Sequence, residues 1–264
     1  MTDGIQAEIE RIERECGGEI SLAARDLQTG WTAEYHGDRR VKTASVIKLP
    51  ILVHLALAVA EGRLDWNETL ELTEAEKVGG SGVLSGMTAG LKLTLRDIAY
   101  LMIAISDNTA TNRLIEFLGV APVNERMKGF GLTETRLLRK AYSPDTPESA
   151  VYGMGVTTPN EMLRLLVLLH ENKIGPFRAR EEIMDCLFQQ QIRDRIPRYL
   201  PFDWRYLGKT GGVDGVRNDV GIVTAPDGRA FALSLFVQNL PPGDWTADNS
   251  GLIALARLAK NLVQ

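Results

Sequence analysis

A serine stands three residues ahead of a lysine at the head of the chain's most apolar stretch. The segment reads Ser45-Val46-Ile47-Lys48, and Leu49–Ala60 follows it. On a helix, residues i and i+3 share a face, so Ser45 and Lys48 can touch. The start of a helix adds the positive end of its dipole and unpaired N–H groups beside Ser45. Pro50 falls near the first turn, where its missing donor costs least. A serine hydroxyl is a poor nucleophile until a base takes its proton. Lys48 is such a base only when its amine is neutral, a state favoured by burial and by a second cation nearby. Lys209 is the candidate for that cation. Two more short sets follow. Ser106-Asp107-Asn108 lies in the break between two helical runs, and Lys209-Thr210-Gly211 closes a short strand-like run. Each set has a plain reading. Ser45 can be a helix N-cap, Asp107 can brace a turn, Asn108 or Thr109 can cap the next helix, and Lys209 can be a solvated strand-end lysine. All three sets occurring in this order favours chemistry.

The conjunction of S-x-x-K, S-D-N and K-T-G resembles the class A β-lactamases and penicillin-binding proteins, a family of serine hydrolases. The resemblance runs from about Gly18 to the C-terminus. It takes in Ser106-Asp107-Asn108-Thr109-Ala110-Thr111-Asn112, Thr157-Thr158-Pro159 and Lys209-Thr210-Gly211-Gly212. It implies that Ser45 is acylated, that Lys48 is its base and that Ser106 relays the proton to the leaving nitrogen. Asn108 would hydrogen-bond the substrate's amide side chain and steady Lys48. Lys209 and Thr210 would bind a substrate carboxylate, and the N–H groups of Ser45 and Gly212 would form the oxyanion hole. Arg217 stands close to where many members keep a carboxylate-binding arginine. Gly80-Ser81-Gly82-Val83-Leu84 resembles a glycine-rich cleft edge, or reads plainly as a surface turn. The implied substrate is a small molecule, a β-lactam, ester or peptide-like amide, with no cofactor and no metal.

One part of the pattern is missing. Class A enzymes carry a loop glutamate that activates the deacylating water. The corresponding stretch here is Arg139-Lys140-Ala141-Tyr142-Ser143-Pro144-Asp145-Thr146-Pro147-Glu148, and the expected position falls near Ala141 or Tyr142. No E-x-x-L-N signature is present. Asp145 and Glu148 are carboxylates at the wrong spacing, and Glu161 reads as the acid of a capping box opened by Thr158. The parts for acylation are present while the part for rapid hydrolysis is not, so the acyl-enzyme should persist. The leading reading is β-lactamase-type hydrolysis of the β-lactam amide with slow deacylation. The alternatives are a D,D-peptidase or esterase, or a penicillin-sensing domain that acylates without turnover.

These residues need a scaffold. Strand-like runs sit at both ends of the chain: Ile20–Arg25 and Trp31–Tyr35, then Tyr206–Lys209, Asp219–Ala225 and Phe231–Gln238, with a turn at Pro226-Asp227-Gly228. Helical runs fill the middle: Val46–Glu61, Thr94–Ile105 capped by Thr94 and Asp97, Thr109–Leu118 stopping at Gly119, and Met162–His170. Met162, Leu165, Leu166 and Leu169 have core spacing, and His54, inside an apolar run, reads as structural. Thr246–Val263 closes the chain as a helix. Lys77–Gly90 and Arg139–Val156 are long irregular stretches of the kind that carry function. The fold class is therefore α/β (α+β) and two-lobed. An antiparallel sheet from both chain ends carries flanking helices, with an inserted all-α lobe. The expected single catalytic domain spans residues 1–264, its α/β lobe about 1–40 and 195–264 and its all-α lobe about 41–194.

Composition is that of an ordinary globular chain of 264 residues, 44% hydrophobic and 24% charged. With 30 Lys and Arg against 34 Asp and Glu, no overall basic field exists to hold nucleic acid. Cys16 and Cys186 read as free thiols, and with three scattered histidines they form no local zinc pattern. Met1–Cys16 reads as a charged amphipathic helix with Ile5, Ile9 and Ile12 on one stripe, unlike a signal peptide. Leu49–Ala60 is too short to span a bilayer. As written the chain reads as cytoplasmic, and as periplasmic or extracellular if an export segment precedes it. The oligomeric state is not legible.

Overall fold

The computed structural model describes residues 3–263. In chain order its elements begin with α1 (Asp3–Cys16), β1 (Glu19–Asp26), β2 (Thr32–Tyr35), β3 (Val41–Lys42), α2 (Lys48–Ala60), β4 (Thr69–Glu71) and β5 (Lys92–Thr94). Next come α3 (Leu95–Ala104), α4 (Asn108–Leu118), α5 (Val120–Gly129), β6 (Arg136–Leu137), α6 (Pro147–Tyr152), β7 (Gly155–Thr157), α7 (Pro159–His170) and α8 (Phe177–Phe188). The chain finishes with β8 (Arg205–Val213), β9 (Val216–Thr224), β10 (Ala230–Gln238) and α9 (Ser250–Leu262). A 3-10 turn over Ala44–Ile47 leads into α2.

Five strands from both ends of the chain form one antiparallel sheet in the order β2-β1-β10-β9-β8. Its central strand, β10, is buried along its whole length, which explains its nearly unbroken apolar sequence. Side chains alternate across a strand. Phe231, Leu233, Leu235 and Val237 therefore join Ile9, Ile12 and Leu255 in one core, under α1 and α9. Ala232 and Phe236 face the other way, into a core shared with Ile47, Leu52, Leu165 and Leu166. Each fully buried side chain of this size stabilises the fold by about 1.5–3 kcal/mol. The helical lobe and the sheet thus share one core, while the terminal helices cover the sheet's far face. No helix among the described residues is long and apolar enough to cross a membrane. Cys16 and Cys186 are free thiols, one beside each core.

Several local details differ from the sequence reading. Strand β8 does not stop at Lys209. It continues through Gly211 and Gly212, which pair with Asn218 and Arg217, so Lys-Thr-Gly lies inside a strand. The two glycines hid this, because glycine is a poor strand former. Thr158 caps α7 by accepting from the Glu161 N–H at 3.2 Å. The Glu161 carboxylate does not return the bond. It accepts instead from the Glu134 N–H at 2.9 Å and the Thr135 hydroxyl at 2.6 Å, donors that only the fold brings near. The stretch 139–156 holds α6 and β7, and α5 and α8 are further helices that the sequence pattern did not single out.

Candidate active site

The nucleophile candidate sits where the chain bends sharply. Ala44, just before Ser45, has φ 45°, a left-handed conformation that costs a non-glycine residue about 1–3 kcal/mol. Ser106 (φ 59°) and Tyr142 (φ 61°) share this strain. The bend is held from the sheet side. The Asn218 amide donates to the carbonyls of Lys42 at 2.8 Å and Thr43 at 3.1 Å, and Gln238 in turn donates to Asn218 at 2.8 Å. Gly211 presses against the same bend. A Cβ there would meet the Thr43 carbonyl at 2.5 Å and the Ser45 nitrogen at 3.2 Å, so only glycine permits this approach.

Helix α2 runs inward from the bend and carries Lys48 into full burial. The Lys48 Nζ lies 2.7 Å from the Ser106 carbonyl, 3.1 Å from the Ser106 Oγ and 3.0 Å from the Asn108 Oδ1. Burial pulls its pKa down to about 7, against an opposing pull from Asp107. Burial is what lowers Lys48, not the second cation expected from the sequence. Lys209, also fully buried, is held well below the usual lysine range by burial, then by Lys48 and then by Arg195.

Asp107 braces the turn between α3 and α4. One carboxylate oxygen accepts the Ala110 N–H at 2.8 Å. The other accepts the N–H groups of Val83 and Leu84 at 2.7 and 2.9 Å. The Asn108 N–H donates to the Ser81 carbonyl and its side-chain amide to that of Gly79. The glycine-rich segment is therefore hung on the Ser106-Asp107-Asn108 turn, and Gly80 and Ser81 line the cleft.

That cleft has a volume of about 790 Å³ and is lined by Ser45, Asn108 and Gly212 together with Tyr142 and Trp245. The structure brings Ser45, Asn108 and Gly212 into its wall, with Lys48, Ser106, Lys209 and Thr210 packed behind them. No hydrogen bond joins the Ser45 hydroxyl to Lys48. Arg217 is also placed differently from expectation. Its guanidinium donates to the carbonyls of Val213, Val216 and Asp244, and lies 4.4 Å from the Trp245 ring centroid. It does not line the cleft.

A second arginine lies beside Gly212. Arg195 is 8% exposed, and its Nε and Nη1 have no hydrogen-bond partner. Its nearest carboxylate, Asp194, is 3.7 Å away. Its Nη2 lies 3.3 Å from the point where a Cβ on Gly212 would sit. Nothing in the sequence spacing marks this residue.

On the loop side, Asn112 grips Ala141 twice, accepting from its N–H at 2.8 Å and donating to its carbonyl at 3.0 Å. The signal for Asn112 was available, since it lies one helical turn beyond Asn108. Asp145 pairs with Arg139 at 2.9 Å and accepts from the Ser149 hydroxyl at 3.0 Å. Glu148 pairs with Arg136. Neither carboxylate bonds to Ser45.

This fold and cleft define a class: serine hydrolases in which a strained helix head, a buried lysine and a serine–asparagine turn meet a sheet strand. The chain belongs to the β-lactamase enzyme family, which it matches over residues 4–264. It is 24% identical to β-lactamase CARB-3 of Pseudomonas aeruginosa over 237 residues, 88% of this chain and 81% of that protein. Among solved structures it resembles the β-lactamase from Sphaerobacter thermophilus, with TM-score 0.87, 33% identity and coverage of 97% and 94% of the two chains. It also resembles a point mutant of PBP-A, solved as an acyl-enzyme complex with penicillin G, with TM-score 0.86, 27% identity and coverage of 99% and 95%. The protein is thus a serine hydrolase of the β-lactamase type, acting on the β-lactam amide bond.

Proposed function

We propose that Ser45 attacks the β-lactam carbonyl and that the resulting acyl-enzyme is released slowly. The observation that carries this reading is the buried Lys48 amine, drawn down to about 7 by burial and held by Ser106 and Asn108. Near neutral pH a large share of this amine is free to accept a proton. Catalytic hydrogen bonds commonly tighten only when substrate enters, so Lys48 takes the Ser45 proton in the complex. The hydroxyl oxygen bonds to the carbonyl carbon, and the Ser45 and Gly212 N–H groups receive the developing oxyanion. As the C–N bond breaks, Ser106 passes the proton from Lys48 to the ring nitrogen. Asn108 takes the amide of the acyl side chain. Lys209, Thr210 and Arg195 take the substrate carboxylate. Arg195 has that role in place of Arg217 because a buried guanidinium with two idle donors favours an anion.

Slow release follows from the loop. Ala141 has no carboxylate, and Asp145 and Glu148 are paired to arginines. The same feature keeps open the reading of a D,D-peptidase, an esterase or a penicillin sensor with the same first step. Intact-mass spectrometry with benzylpenicillin tests the proposal. A lasting adduct on Ser45 is expected, with a product burst equal to the enzyme concentration and a slow phase after it. Fast turnover without a burst, unaffected by Asp145→Ala and Glu148→Ala, contradicts slow release. Ester hydrolysis without a penicillin adduct indicates an esterase.

A further inference from the structure

We infer that the floor of the cleft is a subsite for a carboxylate-bearing acyl side chain, with Lys42 as the cation that reads it. The inference rests on Ser45 being the acylated residue. Arg139 pairs with Asp145 across the loop, and Asn112 holds Ala141 in place. The cleft extends past Tyr142 to Asp145, Ser149, Tyr152 and Met154, and Lys42 lines the same space. Lys42 belongs to β3, which pairs with β7 through Val156, so the end of α6 and the start of β7 form this floor together.

Charge selects the ligand. Four side chains with formal charge line the cleft: Lys42, Arg139, Asp145 and Asp214. Arg139 and Asp145 neutralise each other. Asp214 accepts the Gly243 N–H at 2.9 Å. The Lys42 carbonyl is used by Asn218 and Gln238, but the ammonium of this half-buried residue has no partner among the described residues. An unpaired cation in the wall of a cleft attracts a carboxylate more strongly than an amide of the same shape. Lys42 is three residues from Ser45, so the two Cα atoms lie within about 11 Å. A flexible acyl chain of several carbons spans that reach. Tyr152 flanks the same floor with a phenol that can donate a further hydrogen bond.

The test uses two penicillins that differ only at the end of the acyl side chain. One carries an adipoyl group with a free carboxylate, the other its primary ω-amide. Intact-mass spectrometry gives the second-order rate constant for acylation of Ser45 by each. The wild-type protein should favour the carboxylate by about threefold to tenfold, and the preference should shrink as salt is raised. Lys42→Gln should bring the ratio to about one, and Lys42→Arg should retain it. A wild-type ratio of one or less overturns the inference, as does a preference that Lys42→Gln leaves intact. Equal acylation by both compounds overturns the subsite alone. No adduct with either compound overturns the Ser45 reading, and the subsite with it. The salt dependence of the wild-type ratio reads the same interaction should a variant fold poorly.

Discussion

The two sides of Ser45 are built to different standards. On the helical side, Lys48, Ser106 and Asn108 form a closed set of contacts of 2.7–3.1 Å, braced by Asp107, with Lys48 and Ser106 buried. On the loop side, the contacts hold the backbone and tie the carboxylates to other side chains. Asn112 grips the Ala141 peptide, and Asp145 and Glu148 face arginines. Making an ester and hydrolysing it are separate tasks, each needing its own positioned base. A fold can be complete for one and bare for the other. Strain does not follow this division, since Tyr142 on the loop side holds a costly φ angle as Ala44 and Ser106 do.

The strongest challenge to this contrast is Lys48→Met. Acylation of Ser45 should slow by about a thousandfold, read as the rate of adduct formation, and a small loss would show that the base lies elsewhere. Next is Ala141→Glu, which gives the bare side a carboxylate on a peptide already clamped by Asn112. The adduct lifetime should shorten by about a hundredfold, while an unchanged lifetime would mean that the loop does not face the ester. The third concerns pH. Burial draws Lys48 down to about 7, and its protonated form cannot take the Ser45 proton. Acylation should therefore rise by about tenfold between about pH 6 and pH 8, then level off. A flat profile would detach the rate from Lys48. The smallest effect is expected for Asn112→Ala, which leaves the Ala141 N–H and carbonyl without their partner. Urea unfolding should show a loss of about 1–3 kcal/mol, and no loss would mean that water replaces the clamp.

Local signals in the sequence located most of the frame. Phe231–Gln238 was readable as a strand because alternation and apolar runs follow from strand geometry, and Thr94 with Asp97 announced the start of α3. The short motifs marked Ser45, Lys48, Ser106, Asn108, Lys209 and Gly212, which the fold gathers in or behind one cleft wall. The two- and three-residue strands β3 and β7 carry no local signature, since pairing across the chain defines them. Arg195 escaped for a similar reason. The role proposed for it rests on its nearness to Gly212 and its unpartnered donors, neither of which is a property of neighbouring residues. Arg217 shows the converse. It was singled out by position, but three carbonyls and an indole ring draw it aside.

The order of residues along the chain was enough to put Met162, Leu165, Leu166 and Leu169 on the buried face of α7 and to phase β10 between two cores. Those outcomes follow from periods of 3.6 and 2, which any local stretch carries within itself. The protonation of Lys48, the choice between two arginines and the openness of the cleft floor belong to the assembled molecule. Each depends on desolvation or on partners supplied by distant segments, and these come into being only when the chain closes on itself.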